Sequence, residues 1–149
     1  IAEALAEQKI GKKLSSSVLS RFEGEGFASA SLEKVPEYYI LYFTASWWGP
    51  CRSGAPQLVA KYNKEIVSND NVEFIHVSLD RNEKKAAKWA NDAKLPWLHV
   101  LPQNVDSSGL NKFHTENYVP FYTLINKNGK ILASGKDESF NKAKELSSK

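Results

Sequence analysis

Apolar and polar residues fall along this chain in blocks whose spacing separates strands from helices. The run Tyr38–Thr44, YYILYFT, is β-branched and aromatic and carries no charge, the composition of a strand covered on both faces. Val72–Leu79 is a second such run, with Phe74, Val77 and Leu79. Between them Leu58, Val59, Tyr62 and Ile66 are spaced for one buried helical face, which predicts a helix over Pro50–Val67. Pro50 suits the first helical position, where its missing N–H would be unpaired anyway, and Cys51 then lies in the first turn. Strand, long helix, strand implies a parallel right-handed crossover. A third core strand is read over Val119–Ile125, opening on Pro120, because proline is tolerated at a strand's start but not inside a central ladder. Lys130–Ser134 returns across Asn126–Gly129, where Asn128-Gly129 is the pair a type I′ turn favours.

The flanks complete an α/β pattern. Ile1–Lys13 reads as a short helix with a thin stripe of Ile1, Leu5 and alanines, an extension packed on the domain rather than a membrane-surface helix. Val18–Phe22 and Phe27–Ala30 predict a hairpin about Glu23–Gly26. Ser31 as N-cap predicts a short helix to Val35, ended by Pro36. Asp80 or Asn82 caps a helix over Glu83–Ala93, and Leu95–Val100 is extended. Asp106 or Ser107 caps a short helix ending near Glu116, and Glu138–Leu146 closes the chain with Phe140, Ala143 and Leu146 inward. With no repeat, linker or low-complexity tract, the chain divides into an N-terminal helical extension over residues 1–16 and one domain over residues 17–149.

Composition narrows the chemistry. A chain of 149 residues can bury a real core, and 42% hydrophobic with 25% charged residues argues against disorder. The net charge of +3 is spread along the chain without a basic stripe interleaved with aromatics, so no nucleic-acid footprint is expected. No apolar run approaches the roughly 20 residues that cross a bilayer. A single cysteine, Cys51, excludes an internal disulfide and a multi-cysteine zinc site. His76, within a strand, and His99 and His114, in separate segments, supply no ligand set, so neither metal nor cofactor is expected. A Cys51–His pair stays open because pairing is spatial. Gly24 and Gly26 are spaced as in a phosphate-binding loop, but they lie in an acidic turn.

One motif carries more than pattern. Trp47-Trp48-Gly49-Pro50-Cys51 resembles the W-C-G-P-C active-site motif of thioredoxins, with Trp48 where the family has its first cysteine. Pro56 falls where thioredoxins carry a helix-kinking proline, and Val119-Pro120 resembles their cis-proline loop. The run Tyr42-Phe43-Thr44-Ala45-Ser46-Trp47 and Pro96-Trp97-Leu98 are similar to the tryparedoxin and nucleoredoxin branch. The resemblance covers roughly residues 17–149. It implies a thioredoxin-like fold, a central mixed β-sheet flanked by helices on both faces, here with an N-terminal helix and hairpin added. It also implies a thiol-disulfide oxidoreductase scaffold, in which a low-pKa thiolate at the helix start attacks a substrate disulfide and a second thiol resolves the mixed disulfide. Trp48 occupies the attacking position and cannot ionise, attack or leave; Cys51 occupies the resolving position. Tyr42 stands where thioredoxin has a buried acid, a departure shared with the nucleoredoxin branch.

Three functional readings stay open. In the first, dithiol catalysis is impaired and the chain binds a protein or peptide partner at a surface of Trp47, Trp48, Gly49, Pro50, Val119 and Pro120, with the Val119 backbone pairing to an extended peptide. In the second, Cys51 alone forms mixed disulfides with a partner or a small thiol, or reduces peroxide with an external thiol. In the third, the domain is a remnant serving another protein's architecture. Cys51 is also readable as an inert packed thiol, and Trp48 as the trace of lost catalysis or as a binding anchor. Asp80 either faces the site or caps the following helix. Arg52 is either a plain surface residue or a steering charge for an anionic thiol. The absence of methionine is what removal of an export signal leaves, and the resemblance to exported bacterial thioredoxin-like proteins tilts the expectation that way.

Overall fold

A computed structural model describes residues 1–148. Seven strands form one mixed sheet: β1 (Leu19–Glu23), β2 (Gly26–Ser29), β3 (Tyr38–Thr44), β4 (Val72–Ser78), β5 (Leu98–Val100), β6 (Phe121–Asn126) and β7 (Ile131–Ser134). Their spatial order is β2-β1-β5-β4-β3-β6-β7. β3 pairs parallel with β4 and β4 parallel with β5, while the remaining neighbours are antiparallel. The helices are α1 (Ala2–Ala6), α2 (Gly49–Ser53), α3 (Ala55–Glu65), α4 (Glu83–Ala93), α5 (Val105–Ser108) and α6 (Lys136–Ser147), joined by short 3-10 turns.

The uncharged run at the heart of the sequence becomes β3, with a neighbour on each side and every residue from Tyr39 onward buried. The period of two along a strand divides its side chains between two cores. Tyr39, Leu41 and Phe43 join Ile75, Val77 and Phe121 in one layer, which the N-terminal segment covers through Ile10 and Leu14 and α5 covers through Val105. Ile40 and Tyr42 join Phe74 and Trp97 in the other, under α3, α4 and α6 through Leu58, Trp89 and Phe140. The molecule is thus an α/β mixed sheet with helices on both faces.

Several local expectations are corrected. Only Ala2–Ala6 of the first stretch is α-helical, and it contributes just the half-buried Leu5 to the core. Beyond it Gln8 is drawn inward, where Nε2 donates to the Pro36 carbonyl at 2.7 Å and Oε1 accepts from the Tyr39 hydroxyl at 2.7 Å. No helix forms over residues 31–35: Leu32 is buried in the core, and the Lys34 ammonium donates to the Ile66 and Asn69 carbonyls instead of meeting a helix. The helix expected over Pro50–Val67 is two, broken at Gly54, because Pro56 has no N–H to give the Arg52 carbonyl. Neither Asp106 nor Ser107 caps α5, which begins at Val105 and stops at Gly109 (φ 71°), well short of Glu116. β6 begins at Phe121, after the proline rather than at Val119. In the β6–β7 turn Gly129 has φ 89° but Asn128 is not left-handed, so the turn is not type I′. The Asn126 carboxamide sets it instead, accepting from the amides of Asn128 and Lys130 at 2.9 and 3.0 Å, next to a bulge at Leu124/Ile125.

Candidate functional site

β3 hands the chain at its C-terminal end to a tight loop, Ala45–Trp48, and then to α2. Trp48 is the residue before the helix, in extended conformation with φ −98° and ψ 117°. Its amide donates to Ala45 and its carbonyl accepts from Cys51, at 3.2 and 3.1 Å, which closes the turn. The loop is held from below by Asp80, just past β4. One carboxylate oxygen accepts from both the Ser46 amide, at 2.7 Å, and the Ser46 hydroxyl, at 2.9 Å. Its other oxygen is buried with no partner among the described residues. The helix-capping role weighed for Asp80 belongs to Asn82, whose side chain accepts from Lys85 at 3.1 Å. Asn82 is the residue immediately before α4, and Asp80 lies two positions too early and faces the site loop.

Cys51, in the first turn of α2, is only 1% exposed and packs in the layer containing Tyr42, Ala55 and Leu58. Burial raises its thiol above the ordinary cysteine range; the Ala45 backbone opposes this, and the Asp80 carboxylate adds to the rise. A cysteine at a helix start usually has the opposite tendency. Here loss of water outweighs the helix. Cys51 borders a cleft of about 370 Å³ together with Pro50, Tyr118, Pro120, Tyr122 and Lys136. Tyr42 forms its base, stacked on Tyr122 with ring centroids 4.8 Å apart. Burial pushes both hydroxyls up, so the place of thioredoxin's buried acid holds a neutral phenol. The Val119–Pro120 peptide is cis. Val119 is half-buried, and among the described residues neither its N–H nor its C=O makes a hydrogen bond.

Trp47 and Trp48 are 62% and 45% exposed, their rings edge to face at 6.3 Å. Neither ring lines the cleft between Cys51 and Pro120. Trp47 turns to the opposite flank, where it borders a recess of about 420 Å³ with Arg81 and Lys85. Gly49 and Pro50 are exposed between the two flanks. Arg52 is also exposed, on the Trp47 side.

The histidines are placed away from the thiol chemistry. Parallel register sets His76 opposite His99, and their Nδ1 atoms lie 3.0 Å apart in the buried sheet. The Thr44 hydroxyl bonds the other nitrogen of His76. His114 stacks on Phe43, with centroids 4.9 Å apart. Among the described residues none of the three bonds to Cys51, and no group of three or more His, Cys, Asp or Glu is placed to hold a metal. Among the described residues no helix is long and apolar enough to cross a membrane. Sequence reasoning missed the clamp between Asp80 and Ser46 and the cations around Trp47. The signal for the second was the basic run that follows β4, Arg81 to Lys88.

Because Cys51 is both enclosed and held protonated, we expect an aromatic disulfide reagent at neutral pH to label the native protein at least ~100-fold more slowly than the chain in denaturant. The measurement is the release of reagent chromophore in the two states. Equal rates would mean the thiol is open.

Comparison with known proteins agrees with this geometry. A family model described as thioredoxin-like matches residues 36–131. Human nucleoredoxin is 31% identical over 115 residues, 76% of this chain and 26% of that protein, so the chain spans about a quarter of the nucleoredoxin length. Tryparedoxin of Trypanosoma brucei brucei is 38% identical over 94 residues, 62% of each. Among solved structures, thioredoxin from Wuchereria bancrofti superposes with a TM-score of 0.64 at 25% identity, covering 89% of this chain and 86% of its own. The chain therefore belongs to the thioredoxin-like family of thiol-disulfide oxidoreductases, on its tryparedoxin and nucleoredoxin side.

Proposed function

We propose that this chain is a binding member of its family: it has lost two-thiol disulfide exchange and keeps the surface on which the family receives an extended partner segment. The observation that carries this is the pairing of Trp48 at the helix mouth with a single, enclosed, protonated Cys51. Disulfide exchange needs a thiolate to attack and a second sulfur to resolve, and here the first is an indole. The cleft between Cys51 and Pro120 and the unbonded Val119 backbone support retention of a strand-pairing groove. The N-terminal residues 1–16 serve, on this reading, as an added strap rather than as part of the groove.

A second reading has one observation in its favour, that Cys51 borders the cleft. There a thiolate of Cys51 would displace one sulfur of a small or protein disulfide, leaving a mixed disulfide that an external thiol reduces.

Reduction of insulin by dithiothreitol decides between them. The chain is expected to leave the uncatalysed rate unchanged, with Cys51→Ser indistinguishable from the parent. Turnover that disappears in Cys51→Ser would overturn the binding reading and establish the redox one.

A further inference from the structure

The flank of the site away from Pro120 is chemically distinct from the cleft. Trp47 stands 62% exposed between two recesses, of about 420 and 180 Å³, and borders both. Arg81 and Lys85 line the first; Arg52, Lys85, Lys88 and Trp89 are among the residues lining the second. The only carboxylate on these walls is Asp92, and it is already paired with Lys88 at 2.9 Å. Glu83, on the same helix, is bonded to Gln103. Arg52, Arg81 and Lys85 have no ion pair and no side-chain hydrogen bond among the described residues. Trp89 borders the same recess but is only 4% exposed, and its indole N–H is buried without a partner among the described residues. Three uncommitted cations thus surround one exposed indole. A surface of this kind lacks anionic acceptors around an apolar anchor point.

We propose that this flank docks an acidic peptide segment of a partner protein, with an apolar side chain against Trp47 and carboxylates facing Arg52, Arg81 and Lys85. This rests on the partner-binding reading above and adds the partner's charge. An aromatic platform holds either sign of peptide; the cations select the anionic one and steer its approach, an effect that salt weakens.

The test uses the full chain, immobilised, and three pools of short peptides. Each pool is randomised at alternate positions and carries Glu, Gln or Lys at the others. At low salt the Glu pool is expected to be retained about tenfold better than the Gln pool, with the Lys pool weakest, and the preference is expected to vanish near ~0.5 M salt. The double variant Arg81→Glu with Lys85→Glu should abolish the preference for the Glu pool over the Gln pool. Both substitutions are on the exposed surface and leave the core intact. Equal retention of the Glu and Gln pools, or a preference that survives the double variant, would overturn the acidic partner alone. Retention of none of the pools would overturn the binding reading with it.

Discussion

Trp48→Cys is expected to accelerate insulin reduction by at least ~100-fold over the parent chain. The backbone is already set for it. Residue 48 has the extended conformation of a helix-capping position, its carbonyl holds the Cys51 amide, and Gly49-Pro50 follow as the resemblance to the thioredoxin motif requires. Trp48 is nearly half exposed, so removing its ring opens no deep cavity. The new thiolate would attack a substrate disulfide and release one substrate sulfur as a thiol. Cys51 would then attack the mixed disulfide, release the second, and leave a protein disulfide for dithiothreitol to reduce. The resolving step is expected to be the slow one, because burial and Asp80 raise the Cys51 thiol. Single-turnover trapping of the mixed disulfide should therefore show it accumulating. A variant that folds and stays at the parental rate would mean that more than the missing sulfur has been lost.

The second large effect is loss of stability in mild acid. His76 and His99 are buried against each other, and both are held below the ordinary imidazole range. Burial comes first for each; His76 then feels His99, and His99 feels Arg21. The His99 imidazole titrates at about 3 in the folded chain. In the unfolded chain both would titrate near 6.5. The unfolded state therefore binds protons first, and stability falls as pH drops through that value. The contribution is complete above about pH 6.5 and declines until, for His99, the folded value is reached. At pH 5 the His99 ring alone costs on the order of 2 kcal/mol, a large part of an ordinary domain's margin, and His76 adds to it in the same direction. Glu73, whose carboxyl is raised by burial against the pull of Lys34, works in the opposite direction at lower pH. Urea unfolding between pH 7.5 and 5 should show a falling midpoint, and His99→Phe should flatten the slope whatever its absolute stability. An unchanged slope would place the proton uptake elsewhere.

The elements that sequence revealed are those written locally. An uncharged seven-residue run can be buried only in the middle of a sheet, and β3 is there. Cys51 and Pro120 meet in one cleft, as the motif and proline loop imply. The His76–His99 contact was illegible because it depends on the register of two parallel strands separated by α4, which no local pattern encodes. Asp80 was assigned between two roles that differ only in where its side chain turns, and the deciding partner, Ser46, is 34 residues away. Pro56 was read as a kink when its missing N–H ends one helix and starts another. The Asn128-Gly129 pair misled because a neighbouring carboxamide, Asn126, outbid the pair's intrinsic turn preference.

Asp80 has one further consequence. By gripping Ser46 from beneath, it immobilises the base of the segment that presents both indoles before anything arrives. Ordering a mobile segment on capture is a penalty that weakens adhesion and slows arrest of the visitor. If the binding proposal holds, that ordering belongs to folding, and a visitor would meet a perch already still.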